Sequence, residues 1–339
     1  MSKISTELKH YRVLVTPTSF GISDPSLRTT LEQAVGEVIY NSTGKPLKAD
    51  AARNMIRDID GYIAGLDEID ANVLQVANRL KVIARYGVGT ERVDLQAATE
   101  RGIVVTNTPG ANSASVAELT IGLILALCRK ICLMNQSTQN GEWLRSDGIS
   151  LRNKVVGLVG LGSIGLLTAI RLKAFDCQLL ATDPYIDKRT ADQNSITLVP
   201  LEELLGKSDI LSLHVPLLPE TERMVNQDFL ARMKPGALLI NTARGQLIDE
   251  EAVAQALESG YLRGLGLDVY RIEPPGADYP LFRCPQVIAT PHMGAHTDDA
   301  TNEMGRMSVE DCLAVLQGKR PPHVVNPEVY ERNQKGGKP

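Results

Sequence analysis

Long apolar runs are missing from this sequence. The longest, Leu119 to Leu127, falls far short of the ~20 residues a membrane-spanning helix needs, so no membrane partner is expected. Paired or clustered cysteines are missing as well. Cys128 and Cys132 stand one helical turn apart, Cys177, Cys284 and Cys312 stand alone, and the five make an odd count without zinc-ligand spacing. Read as reduced thiols, they place the chain in the cytoplasm, and no metal site is expected. No charge dominates: the formal net charge of -4 carries none of the basic excess that marks nucleic-acid binders, so no nucleic-acid partner is expected. Met1 to His10 is polar and lacks the apolar core of a signal peptide. Asn333 to Pro339 is short and polar and is expected to fray. There is no solenoid-period repeat and no low-complexity tract.

What is present is the composition of a globular enzyme, 43% hydrophobic and 22% charged over 339 residues. That length suits two domains, because single cores rarely grow past ~250–300 residues. Short apolar runs alternate with helical patterns along most of the chain. Strands are expected at Tyr11 to Thr16, Gly61 to Ala64, Lys81 to Tyr86 and Ile103 to Thr106. Helices are expected over Pro25 to Val35 and over Asp94 to Arg101, with Asp94 as N-cap. One long helix is expected from Ser113 to Gln139. A second series follows, with strands at Val155 to Val159, Gln178 to Thr182, Ile210 to Val215, Ala237 to Asn241, Gly264 to Val269 and Val287 to Ala289. Strand–helix alternation of this kind points to α/β architecture with parallel sheets. The second series has the strand count of a Rossmann dinucleotide-binding domain. We therefore expect that domain over 108–296. A second, discontinuous domain is expected from 1–107 and 297–339, with the helix from Asp298 to Gln317 returning to it.

The segment KVVGLVGLGSIG, Lys154 to Gly165, sends a strand directly into Gly160-x-Gly162-x-x-Gly165 and then into a helix. Gly160 permits the tight turn, Gly162 lets the backbone approach a pyrophosphate, and Gly165 lets the helix pack on the strand. The helix N-terminus offers unpaired N–H groups to phosphates. Asp183 ends the next strand, 183 − 160 = 23 residues on. A carboxylate there accepts from ribose hydroxyls and repels a 2′-phosphate, which favours NAD over NADP, although Arg189 stands nearby.

Arg244, Asp268, Glu273 and His292 each follow an expected strand of the same domain, in NTARG, LDVYRIEPP and TPHMGA. In doubly wound sheets the carboxyl ends of strands hold the ligands, so these residues can converge. Taken singly, Arg244 can pair with Asp249, Glu273 can be a loop carboxylate, and His292 can be a cap or core histidine. His214 reads as packing.

Taken in order, the motifs RYGVGTERVD, NTPGANSASVAE, GLVGLGSIG, HVPLLPET, NTARG, EPP and TPHMGA span nearly the whole chain. They resemble the D-isomer-specific 2-hydroxyacid dehydrogenases, closest in style to the D-3-phosphoglycerate dehydrogenase branch in a short form without regulatory domains. The resemblance implies a Rossmann domain plus a flavodoxin-like substrate domain with a cleft between them, closing at hinges near Asn107 to Pro109 and Gly294 to Thr297. It implies NAD as cofactor and a catalytic set of Arg244, Glu273 and His292. His292 would exchange the hydroxyl proton, since histidine ionises near neutral pH. Glu273 would fix its tautomer, and Arg244 would grip the substrate. Asp268 would accept from the nicotinamide carboxamide. Further cofactor contacts are implied at Val88, Ser163, Ile164, Val215, Thr242, Ala243, Gly294 and Ala295. The substrate, a small anionic hydroxy or keto acid, would meet the amides of Val88 and Gly89 as well as Arg85, Arg244 and His292.

The specific acid stays open at this point. Arg85, Arg92 and Arg145 are candidate phosphate ligands for 3-phosphoglycerate or a phosphonate analogue. Gly65 and Leu66 stand where animal phosphoglycerate dehydrogenases carry an arginine, and Glu91 and Arg92 replace a common Asp and Asn. Alternatives are hydroxypyruvate or glyoxylate reduction, phosphite oxidation, or an NAD(H)-sensing binding protein like the C-terminal-binding co-repressors. Formate dehydrogenases carry Gln at the place of Glu273. A homodimer is implied, with Leu119 to Leu127 as the candidate contact.

Overall fold

A computed structural model describes residues 8–335. Most of the polar N-terminal segment and residues 336–339 of the tail lie outside the described residues. The tail expected to fray from Asn333 is still helical to Lys335, in the helix Glu328–Lys335. The described residues form two compact units, one up to Asn112 and from His296 onward, the other Ser113–Ala295.

The first unit is built on β1 (Arg12–Val15), β2 (Glu37–Tyr40), β3 (Gly61–Ala64), β4 (Val82–Arg85) and β5 (Val104–Thr106). All pairings are parallel, in the order β2-β1-β3-β4-β5, the flavodoxin-like order of a doubly wound sheet. Every residue of β3, β4 and β5 is buried, which is why these strands read as continuous apolar runs. β2 was not expected. It is a half-exposed edge strand of four residues, and such a strand carries little apolar signal. Asp94 caps the helix Leu95–Glu100 through the Ala97 amide. The helix Asp298–Leu316 packs on β3 and β4. Gly61 allows that approach, since a Cβ there would stand 2.8 Å from Cys312 Sγ.

The second unit contains β6 (Val155–Val159), β7 (Gln178–Thr182), β8 (Thr197–Leu198), β9 (Ile210–Leu213), β10 (Ala237–Asn241), β11 (Leu262–Leu267) and β12 (Val287–Ala289). They form one parallel sheet, β12-β11-β10-β9-β6-β7-β8. This is the Rossmann order with one further strand beside β11. The six expected strands are all present, and the seventh, β8, is a two-residue edge strand below the reach of any periodicity.

The single helix expected from Ser113 to Gln139 is two helices, Ser113–Arg129 and Ile131–Gln139. Lys130 between them takes a left-handed conformation, φ 53°. The returning chain causes the break. Ile149 N donates to Cys128 O at 2.8 Å, and a Cβ on Gly148 would lie 2.7 Å from that same oxygen. The apolar segment Leu119 to Leu127, expected as a dimer contact, faces its own core: Ile121, Leu123 and Ile124 are buried against Val156, Leu158 and Ile240. Among the described residues no helix is long and apolar enough to cross a membrane.

Candidate active site

Parallel pairing from β12 to β7 puts the carboxyl ends of these strands on one edge of the second unit. Gly160, Asp183, His214, Thr242, Asp268 and Thr290 each directly follow a strand of that edge. Arg244, Glu273 and His292 extend from the adjacent strands β10, β11 and β12. A polar cavity of about 470 Å³ at the opposite edge, lined by Arg152, Lys154, Asp209 and Arg263, contains none of them.

The three glycines of the turn after β6 behave differently. Gly160 has φ +95°, and a Cβ on it would approach His214 O to 2.6 Å, so only glycine fits. A Cβ on Gly165 would stand 2.4 Å from Gly160 O, so the helix Ser163–Leu172 can close onto the turn only through a glycine. A Cβ on Gly162 would meet nothing within 4 Å. Nothing inside the protein requires a glycine there, and an open backbone face at the N-terminus of the following helix fits a pyrophosphate. Ser163 and Ile164 begin that helix. Asp183 is held in place by accepting from Leu161 N at 2.7 Å, Tyr185 N at 2.8 Å and Ile186 N at 3.1 Å. Its carboxylate thus braces the glycine turn, and one acceptor position on Oδ2 remains for a ribose hydroxyl. The residues present therefore fit a dinucleotide.

On β10, Asn241 organises the next turn. Its side chain donates to Arg244 O at 2.8 Å and accepts from Ala243 N at 3.1 Å. Thr242 shares a 2.8 Å hydrogen bond with Thr120, and Arg244 Nη1 donates to Ala243 O at 2.7 Å. Gly245 was not singled out from the sequence, yet it sets how close two loops come. A Cβ there would lie 2.0 Å from the Tyr270 carbonyl carbon and 2.4 Å from Arg271 N. The Arg244 turn and the loop carrying Glu273 therefore touch backbone to backbone. Asp249, the alternative partner of Arg244, is paired with Arg223 instead.

His292 Nδ1 lies 2.8 and 2.9 Å from the two Glu273 oxygens. Glu273 Oε1 also accepts from Tyr270 N at 3.1 Å. The Glu273 side chain is 16% exposed and that of His292 34%, so the carboxylate is shielded while the imidazole keeps an open side. His292 has φ 50°, a left-handed conformation that is strained for histidine. Asp268 holds that loop. Buried at 1%, it accepts from Thr290 Oγ1 at 2.6 Å and Met293 N at 2.9 Å on Oδ1, and from Gly294 N at 2.9 Å on Oδ2. Tyr270 adds a further tie, donating to Thr290 O at 2.7 Å. Burial, with the charges of Asp268 and Glu273, pushes its hydroxyl up to about 12, so it remains a donor. Ser115 donates to Gly294 O at 2.6 Å, next to Ala295. Val215 packs half-buried against the core below the turn after β9. The bracing by Asp268, Tyr270 and Gly245 left no signal in the linear sequence beyond the motifs that contain them.

Arg85, Val88, Gly89 and Arg92, expected on the substrate side, belong to the first unit. After β4 the chain turns through Tyr86 to Gly89. The amides of Val88 and Gly89 have no acceptor among the described residues. Arg85 departs from the expectation of a phosphate ligand. It is 3% exposed, and its guanidinium donates to Ala64 O at 2.6 Å and Gly89 O at 3.1 Å. Arg92 lies 3.9 Å from Glu68.

Two parallel sheets, one of them Rossmann-ordered, with a glycine turn, a bracing aspartate and a histidine–glutamate pair on one edge, define a dinucleotide-dependent oxidoreductase. The family model of the D-isomer specific 2-hydroxyacid dehydrogenase NAD binding domain matches residues 121–294. The chain is 40% identical to the glyoxylate reductase of Thermofilum pendens over 91% of its own length and 94% of that protein. It is also 40% identical to the D-3-phosphoglycerate dehydrogenase of Methanocaldococcus jannaschii over 90% of its own length, but it spans only 59% of that longer protein. A crystal structure of a protein from Thermus thermophilus superposes with a TM-score of 0.83 at 39% identity, covering 93% of this chain and 99% of that one. The chain belongs to the D-isomer specific 2-hydroxyacid dehydrogenase family, and its cofactor is NAD.

Proposed function

We propose that the protein interconverts a small, unphosphorylated 2-oxo acid of the glyoxylate or hydroxypyruvate kind and its D-2-hydroxy acid. The His292–Glu273 pair, braced beside the Arg244 turn, carries this reading. NAD, when bound, supplies the hydride donor or acceptor. The amides of Gly162, Ser163 and Ile164 would meet its pyrophosphate, and the remaining acceptor position on Asp183 Oδ2 its ribose. Asp268 Oδ2 holds one N–H where Oδ1 holds two donors, so Oδ2 is the oxygen left to accept the nicotinamide carboxamide. Val88, Val215, Thr242, Ala243, Gly294 and Ala295 would line the rest.

On the substrate side, the unpaired amides of Val88 and Gly89 would hold the carboxylate, as successive N–H groups do in anion nests. Arg244 would grip the acid and polarise its carbonyl with a permanently charged, planar donor set. Glu273 on Nδ1 leaves Nε2 of His292 to deliver the proton in reduction and remove it in oxidation.

The engagement of Arg85 and Arg92 supports an unphosphorylated acid. Arg85 is buried on backbone carbonyls, Arg92 lies beside Glu68, and Arg145 stands in the exposed segment before Ile149. The likeness to the Thermofilum pendens glyoxylate reductase over nearly its full length points the same way. The experiment is NADH oxidation with glyoxylate, hydroxypyruvate, pyruvate and 3-phosphohydroxypyruvate. Turnover of the first two, with the phosphorylated acid poorer, is expected. His292→Ala should lower kcat by about 10²–10⁴ while NADH still binds. Preference for the phosphorylated acid would sink the substrate assignment, and an active His292→Ala would sink the mechanism.

Five free thiols support a reducing, cytoplasmic setting. The exposed apolar side chains Ile131, Leu133, Trp143 and Leu144 support a homodimer through the second unit, in place of Leu119 to Leu127.

A further inference from the structure

The loop from Gly87 to Gly89 has all of its carbonyls occupied. Gly87 O accepts from Thr108 N at 3.1 Å, Val88 O from Asn107 Nδ2 at 2.8 Å, and Gly89 O from Arg85 Nε at 3.1 Å. Gly87 N is also bound, to Thr108 Oγ1 at 3.1 Å. What the loop has left are the amides of Val88 and Gly89. A peptide unit whose carbonyl is drawn to one side presents its N–H to the other, so a loop held by its carbonyls is an array of donors.

Arg85 is the unusual member of this arrangement. Its guanidinium is buried and forms no ion pair among the described residues. Removal from water lowers its pKa, and only the nearby charges of Asp67, Tyr62 and Glu91 act in the other direction. The Asp67 carboxylate is itself occupied by Leu47 N, Gly65 N and Thr16 Oγ1. A buried cation without a carboxylate partner is unfavourable, and an apolar side chain of similar volume is normally the more stable choice. What the guanidinium does here, and an apolar side chain cannot, is bridge Ala64 O at the end of β3 to Gly89 O, two points 25 residues apart in sequence (89 − 64).

We propose that Arg85 is a positioning residue for substrate binding. Thr108 N on Gly87 O and Asn107 Nδ2 on Val88 O turn the Val88 and Gly89 amides to the other side, and the guanidinium on Gly89 O fixes the end of that loop, so that both amides stay directed at the substrate carboxylate; Arg85 makes no contact with substrate itself. The proposal rests on the reading of those two amides as the carboxylate site. The buried positive charge directly behind Gly89 also strengthens the attraction for an anion on the far side of the loop.

The test uses the full chain with NADH at saturation. Arg85→Met, which keeps the volume and removes the donors, is expected to raise KM for glyoxylate about tenfold or more. Its kcat should stay within about threefold of wild type, because neither the Glu273–His292 hydrogen bonds nor the Arg244 turn involves Arg85. Hydrogen exchange of the peptide covering residues 86–90 should accelerate. Asn107→Ala, which releases Val88 O, should raise KM in the same direction. Arg85→Lys, which keeps the buried charge but lacks the planar fork that bridges Ala64 O and Gly89 O, should also raise KM and serves if Arg85→Met fails to fold. Unchanged KM in folded variants overturns the proposal, as does a loss confined to 3-phosphohydroxypyruvate, the result expected of a phosphate ligand. A wild type that turns over no 2-oxo acid overturns the functional reading first and this proposal with it. That outcome is distinguished from a failure of the proposal alone, in which wild type is active and the variants match it.

Discussion

His214 illustrates how a single residue links the cofactor turn to stability. It follows β9, and its Cβ would sit 3.4 Å from a Cβ placed on Gly165. Nε2 shares a 2.9 Å hydrogen bond with Ser212 Oγ, and burial pushes the imidazole down to about 4. Above pH ~6.5 the residue is neutral folded and unfolded, and it makes stability no more pH-dependent. As the pH falls below that, the unfolded chain takes up a proton that the folded chain refuses, so stability is lost progressively until about pH 4. Between pH 7 and pH 5, urea unfolding should show wild type losing about 2 kcal/mol more than His214→Gln. Equal losses would show that the ring is not kept neutral by the fold. His292 differs in setting, with one nitrogen on a carboxylate and an open side. The two histidines are similar as letters and opposite in consequence.

At the scale of the element, the turn from β6 into the helix Ser163–Leu172 separates packing from binding. Gly165→Ala forces a Cβ to within 2.4 Å of Gly160 O, and that strain should lower stability by about 1–3 kcal/mol. Gly162→Ala places its methyl in space that is open within the protein. Its melting temperature should therefore match wild type, while NADH affinity falls about tenfold or more as the methyl meets the pyrophosphate path. Thermal melts and NADH fluorescence titrations distinguish the two. A Gly162→Ala protein with normal NADH affinity would remove the pyrophosphate from this turn. The loops on β10, β11 and β12 follow the same logic, with Gly245 setting contact and Asp268 setting loop shape.

For the whole molecule, assembly is the property to measure. Trp143 is 78% exposed, and Ile131, Leu133 and Leu144 are each more than half exposed. They all belong to the stretch after the Lys130 break. A dimer through this stretch should sediment as about twice the 36.8 kDa chain, and Trp143→Asp should shift it toward monomer. The chain has one tryptophan, so its fluorescence should move to shorter wavelength on association. A wild type that sediments as a monomer would overturn the dimer.

Much of this was readable without coordinates. The glycine spacing, the following helix and Asp183 identify a dinucleotide turn because each glycine answers a local backbone demand. The buried parallel strands announce themselves because both their faces are apolar. Arg244, Glu273 and His292 stood out because each follows an expected strand, and the family resemblance alone grouped them as a catalytic set. The edge strands β2 and β8 were not legible, since short half-exposed strands have no periodicity to read. The break at Lys130 was hidden because its cause, the chain returning at Gly148 and Ile149, is non-local. Arg85 reads as an exposed ligand in the sequence because charge alone suggests solvent. By itself the sequence determined the architecture, the cofactor class and the family, all of which rest on local patterns and their order. Only the tertiary structure decided that Arg85 faces inward, that Gly245 and Asp268 set the loops, and which apolar helix residues are covered. Burial and hydrogen-bond pairing are properties of residues brought together from distant parts of the chain, and no single segment encodes them.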